Sequence, residues 1–141
     1  MQTFLPYADF KQSAIVLDYK RLGKQRVETL QILNAIDGLS KGWVNHPATN
    51  LWRGYETALA YYGMQICQEW IERGYKDSLL PRFTERFLEG ELELPPIIGD
   101  SRLHLSHQSN LIRKDPNFYV PKFGVEVPND LPYYWGNKEG E

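Results

Sequence analysis

From Pro47 to Arg73 the chain carries one apolar stripe at helical spacing, and Gly74 stops it. Leu51, Trp52, Tyr55, Ala58, Leu59, Tyr62, Ile66 and Trp70 recur at three- and four-residue steps, the period of a helix face and not of a strand. Pro47 suits the first turn of such a helix, where its missing N–H costs nothing. A stripe of this length must be covered by neighbours, so the chain has to fold as helices around a central one. Gly54 and Gly63 within it either bend the helix or admit a neighbour closely.

The rest of the chain supplies those neighbours. Asp9 caps a short helix through Val16, and Asp18 caps one over Tyr19–Ile36 that Gly38 ends. A shorter helix is expected from Pro81 to Leu88, with Asp77 or Ser78 near its start, and Asp100 caps another over residues 101–114. Strand signals are almost absent, since the alternation at Glu91–Leu94 runs into two prolines. After Pro116 the chain is rich in aromatics and proline and is expected to be a loop folded onto the body. The expected fold is all-α: a compact single domain over residues 1–141, around one long central helix, with an aromatic, proline-rich C-terminal loop.

Composition narrows the class. With 141 residues, 42% hydrophobic and 24% charged, the chain can bury its own core as a globular protein. No apolar run is long enough to cross a bilayer, and residues 1–12 lack the basic start and apolar stretch of a secretory leader. The single cysteine, Cys67, excludes a disulfide framework and fits a small packed residue in a reducing, cytoplasmic setting. Three histidines without metal-ligand spacing predict no metal, and no cofactor-binding motif is present.

A net charge of −2 argues against a protein drawn to DNA by its overall field, so the distribution of charge matters more. Residues 20–26 hold Lys20, Arg21, Lys24 and Arg26 without an acid, whereas acids collect at Glu85, Glu89, Glu91 and Glu93 and again at Glu139 and Glu141. One basic cleft on an acidic body is compatible with that pattern.

A second basic segment lies at 101–114. Read as a helix, it sets Leu105, Leu111 and Ile112 on one side, with His104 at the edge, and Arg102, Ser106, His107, Asn110, Arg113 and Lys114 on the other. This polar side has cations and neutral hydrogen-bonding groups but no carboxylate before Asp115, which suits a phosphate or nucleotide. His107 is the candidate base, because surrounding cations would keep its imidazole neutral. His46 is expected to cap a helix and His104 to pack. Arg26 projects into the apolar face of its helix, either paired with Glu56 or Glu69 or turned to an anionic ligand at a cleft rim. Lys24 and Glu28 read as a surface i,i+4 pair. The flat side chains near the C-terminus either stack on bases or, the more frequent outcome, close the core; Phe118 and Tyr119 follow the basic helix directly and are the best placed of them to meet a ligand.

With these residues assembled, the chain resembles the pyrimidine-dimer DNA glycosylase (endonuclease V) family, small all-α repair enzymes frequent in phages. Asp18-Tyr19-Lys20-Arg21-Leu22 with Arg26-Val27 is similar to the family's acidic-Tyr-Arg-Glu-Leu-Pro-Arg-Val segment. Glu72-Arg73-Gly74-Tyr75 resembles the Lys-Arg-Gly-Phe turn that closes its central helix. His104 to Lys114, followed by Pro116-Asn117-Phe118-Tyr119 and Phe123-Gly124, resembles its basic helix and aromatic Pro-Thr-Trp-Tyr loop.

The resemblance implies a glycosylase with abasic-site lyase activity on damaged duplex DNA, working without a cofactor. An N-terminal α-amine would attack the sugar carbon to form an imine, a role suited to a group whose ordinary pKa is about 8. A glutamate early in the first long helix would move protons, and arginines beside it would hold phosphates. Gln2 is too large to favour removal of the initiator Met, so either Met1 keeps the amine or the terminus has no catalytic part. The family's glutamate aligns with Arg21 or with Gly23, which leaves Glu28, one turn on and expected on the solvent face, as the nearest carboxylate.

The reading is therefore a DNA glycosylase/lyase with Arg26, Glu28 and His107 as catalytic candidates. Lys20, Arg21, Lys24, Ser106, Asn110, Arg113, Lys114 and Tyr119 are the substrate-binding ones. The alternative is a non-catalytic protein that binds nucleic acid or a phosphorylated nucleotide on the same scaffold. The oligomeric state stays open.

Overall fold

A computed structural model describes residues 1–136, so Glu139 and Glu141 lie outside the described residues. The described residues form helices α1 (Phe10–Ile15), α2 (Tyr19–Ile36), α3 (Pro47–Trp52), α4 (Glu56–Glu72), α5 (Leu80–Phe87), α6 (Ser101–Lys114) and α7 (Pro116–Phe123), with no strand among them. The fold is all-α, as the periodicity requires. Asp9, Asp18, Asp100 and Asp115 cap α1, α2, α6 and α7, each accepting a first-turn amide that has no partner within its own helix. His46 caps α3 in the same way, its Nδ1 accepting from the Ala48 amide at 3.0 Å.

The Pro47–Arg73 stripe is divided between two helices. Gly54 at φ 89° sits between α3 and α4, a left-handed conformation that a helix cannot continue through. The apolar pattern runs across the break because both helices face the same core. α4 is the central element and packs against α1, α2, α3 and α5. Gly63 on α4 admits α5 closely: a Cβ there would come within 2.5 Å of the Phe83 ring. Trp52, Leu59, Tyr62, Ile66, Phe83 and Leu103 are fully buried in the common core.

Two expectations need correction. The stretch from Pro116 is not all loop, because Asp115 caps it and Pro116 occupies the first turn, where no N–H is required. It runs as α7 to Phe123 and ends at Gly124, φ 103°; residues 124–136 follow without helix or strand.

The second correction concerns α6, whose neutral polar residues are turned inward while Arg102, Arg113 and Lys114 stay exposed and Leu111 and Ile112 stay buried. Ser106, His107, Ser109 and Asn110 are buried, whereas Leu105 is 38% exposed. The cause lies in two non-helical segments, the first residues of the chain and the stretch after α7, which supply backbone groups with no helix partner of their own. Buried N–H and C=O groups need partners, and α6 provides them from side chains. The Leu131 and Tyr134 amides donate to the Ser109 and Ser106 hydroxyls at 3.0 and 3.1 Å. Asn110 Nδ2 donates to the Leu131 carbonyl at 3.0 Å.

Candidate active site

Residues Gln2 to Pro6 are buried without forming a helix or strand, so each backbone group they bury must find a partner elsewhere. Gln25 on α2 supplies two contacts: its Nε2 donates to the Gln2 carbonyl at 2.7 Å and its Oε1 accepts from the Phe4 amide at 2.5 Å. The Tyr62 hydroxyl of α4 lies 2.6 Å from the Phe4 carbonyl. On α6, His107 Nδ1 accepts from the Leu5 amide at 2.8 Å and His104 Nδ1 meets the Leu5 carbonyl at 2.7 Å. Gln108 Nε2 then donates to the Pro6 carbonyl at 2.8 Å. Leaving one such buried group unpaired costs about 1–3 kcal/mol, so the set fixes the segment in a single register.

That register places the Met1 amine 3.9 Å from Glu28 Oε2, with the two side chains only 2% and 13% exposed. Glu28 is therefore not a solvent-facing partner of Lys24. It points into a cavity of about 370 Å³ lined by Met1, Gln2, Phe4, Lys20, Arg21, Lys24, Glu28, Lys114 and Tyr133. Lys20, Lys24 and Glu28 are four residues apart on α2 and share one face, with Arg21 beside them. Lys114, at the end of α6, closes the cavity from a distant part of the sequence. Four cationic side chains thus surround one carboxylate and one amine, a charge pattern suited to phosphate with a reacting centre between.

Arg21 is oriented by Asp18, whose Oδ1 lies 3.2 Å from its Nη1. Burial would raise the Asp18 carboxyl, but the Tyr119 hydroxyl and Arg21 outweigh it and hold the group below its ordinary value. Tyr119 is itself fully buried and bonds both the Asp18 carboxylate and the Asp18 amide. It reaches back from α7 to hold the start of α2 and is not a ligand contact. Burial, with the Asp18 carboxylate adding to it, keeps its phenol protonated far above neutral pH.

The other candidates fall outside the cavity lining. Arg26 is committed to Asp77: Nη2 lies 2.6 Å from Oδ1 in a pair whose side chains are 14% and 0% exposed, and the guanidinium rests 5.1 Å over the Trp70 ring. Neither Glu56 nor Glu69 is its partner; Glu69 pairs with Arg73 at 2.7 Å. Asp77 also accepts from the amides of Leu79 and Leu80 at the start of α5, which explains why it is buried. Beside this pair, burial and the Asp77 carboxylate push the Cys67 thiol up to about 12, so it carries no thiolate at neutral pH.

His107 is fully buried and is no general base facing solvent. Its ring is kept neutral not by the helix's cations but by burial, with His104 a lesser cause, and its pKa is pushed down to about 3. Ser106 and Asn110 hold the stretch after α7, as described above. Arg113 does the same, donating to the carbonyls of Asn129 and Leu131 at 3.0 and 3.1 Å.

Of the sequence candidates, the structure brings together Lys20, Arg21, Lys24, Glu28 and Lys114. It adds Gln2, Phe4 and Tyr133, none of which periodicity singles out. Phe4 and Tyr133, and not Phe118 or Tyr119, are the aromatics in the wall. Among the described residues no group of three or more His, Cys, Asp or Glu side chains forms a metal-binding set, and no helix is long and apolar enough to cross a membrane.

A family model described as pyrimidine dimer DNA glycosylase matches residues 1–80. The matched span holds the amine, Glu28 and the α2 cations, and leaves out Lys114 and Tyr133. No curated protein and no solved structure matches the chain.

Proposed function

This chain belongs to the pyrimidine dimer DNA glycosylase family, and on that premise we propose that it is a DNA glycosylase with abasic-site lyase activity. The Met1 amine is its nucleophile and Glu28 its proton carrier. The observation that carries the reading is the amine 3.9 Å from a largely buried carboxylate, inside a cavity otherwise edged with cations.

The neutral amine adds to C1′ of the damaged nucleotide. A carbon–nitrogen bond forms, the glycosidic bond breaks, and the base leaves with the bonding pair. Glu28 takes the proton shed by the nitrogen, directly or through one water, and returns a proton to the ring oxygen as the sugar opens to an imine. Glu28, again a carboxylate, then takes a C2′ proton, and the elimination expels the 3′ phosphate and nicks the strand. Lys20, Arg21, Lys24 and Lys114 hold the flanking phosphates. The reacting nucleotide has to leave the base stack for its sugar to reach the amine.

Borohydride trapping on ultraviolet-irradiated and on abasic duplex tests this. A covalent adduct at Met1 is the expected result, and it should vanish when two residues are added before Met1. Salt-sensitive binding without adduct or nick would overturn the activity and leave a nucleic-acid or phosphorylated-nucleotide binder on the same scaffold.

A further inference from the structure

Residues 38–46 join α2 to α3 and contain no carboxylate; Lys41 and Trp43 are both exposed. Trp43 is 48% exposed and its backbone sits at φ 65°. That left-handed region favours glycine, and Trp43 is the one non-glycine residue placed there among the described residues. Half of its surface meets solvent, so core burial does not account for the conformation. The surrounding loop is nevertheless well tied. Arg53 Nη2 donates to the Val44 carbonyl at 2.5 Å, the His46 amide to the Trp43 carbonyl at 3.2 Å, and Asn50 Nδ2 to the Asn45 carbonyl at 3.3 Å. An exposed aromatic held in an unfavourable conformation by a fixed loop marks a side chain kept for contact.

The position of the loop says with what. The Trp43 ring meets His46 edge-on at 5.6 Å, His46 meets Trp135 at 6.3 Å, and Trp135 lies 5.8 Å from Tyr133 in the cavity wall. Flat rings therefore run without interruption from the Met1–Glu28 cavity to the exposed indole. His46 Nδ1 is occupied by the Ala48 amide, so the neutral ring carries its proton on Nε2. Burial first, and then the nearby Met1 amine, keep it below its ordinary pKa, as befits an uncharged member of an aromatic row.

We propose that Trp43 and Trp135, with His46 between them, form a stacking platform for an unpaired nucleobase on the row of rings that leads out from Tyr133 of the cavity wall. The proposal rests on the reading that the cavity holds DNA, and it names what receives the base that this reading removes from the duplex. A nucleobase fits because the adjoining cations would hold its phosphate. Stacking on an indole also requires no particular base identity.

Trp43→Gly is the informative variant, since glycine adopts the observed φ freely, which offsets the loss of the ring's buried half. Its thermal midpoint should stay close to that of the parent chain. In a Glu28→Gln background that slows turnover, affinity for a duplex carrying a cyclobutane thymine dimer should fall about tenfold, in line with the loss of one stacked base. Affinity for undamaged duplex should hold. Trp43→Phe, which keeps a ring, should stay within about threefold of the parent. Chains with and without Trp43→Gly that bind the dimer duplex equally well, while the parent traps abasic DNA, would overturn the platform alone. A parent chain that neither traps abasic DNA nor binds it in a salt-dependent way would overturn the activity reading, and the platform with it.

Discussion

The Leu5 amide donates to Nδ1 of His107 at 2.8 Å, joining residues 102 positions apart. Protonating that nitrogen would remove the acceptor and place a charge among Phe4, Tyr133 and the buried backbone. Nε2 of the same ring has no hydrogen-bond partner among the described residues. The imidazole therefore works as a neutral acceptor that seats the start of the chain.

Stability should consequently depend on pH through this ring. The folded pKa is about 3, below the ordinary histidine value of 6.5. Between those values the unfolded chain binds a proton that the folded chain refuses, so the contribution is complete above 6.5 and is lost as pH falls towards 3. The slope for this one proton is about 1.4 kcal/mol per pH unit. Urea melts of the parent chain at pH 7.0, 6.0 and 5.0 should show that loss. His107→Asn should be less stable at neutral pH but flatter by one proton over the same range; an unchanged slope would refute the assignment.

Glu28→Gln should leave the circular-dichroism spectrum and duplex affinity nearly unchanged. Adduct formation on abasic DNA should slow by about 10²–10⁴-fold, the usual contribution of a placed proton carrier. Single-turnover trapping measures it, and a rate within a few-fold of the parent would remove Glu28 from the chemistry.

Lys20→Ala, Lys24→Ala and Lys114→Ala should each weaken duplex binding regardless of sequence. Each should also lower the slope of log affinity against log salt by about 1. Lys114 is the telling case, because it lies outside the part of the chain that the family model matches. A salt slope unaltered by its loss would separate α6 from the DNA surface.

Arg26→Ala should act on stability and not on chemistry. It strands the fully buried Asp77 carboxylate, and breaking such a pair costs about 3–5 kcal/mol. Denaturant melts would register that loss, whereas the adduct rate per folded molecule, taken at low temperature, should match the parent. A selective loss of adduct rate would restore Arg26 to the site.

Much of the helical frame was legible because its ends are written in local chemistry. Asp18 and Asp100 mark the starts of α2 and α6, whose observed ranges agree with expectation. The break between α3 and α4 was not legible, since Gly54 interrupts the backbone but not the apolar pattern. The α2 wall of the cavity could be read from the four-residue steps of Lys20, Lys24 and Glu28. Periodicity nevertheless assigns Glu28 to solvent, because its true neighbour is a chain terminus that carries no periodic signal. Polar residues on α6 misled for a related reason. Amphipathic reading assumes that polar means wet, whereas Ser106, His107 and Asn110 serve buried backbone. For Arg26 the buried ion pair was legible but its partner was not, because the acid lies 51 positions away in a connecting segment.

The seat of residues 2–6 draws on side chains as far along as Gln108. A ribosome releases the first residues long before that position, so the opening segment waits through most of translation with its backbone wetted by solvent. Only when α6 emerges can the terminus be drawn in beside Glu28. On the proposed chemistry, a nascent or truncated chain lacking α6 would have no seated amine, and reactivity would arrive as a late event of synthesis.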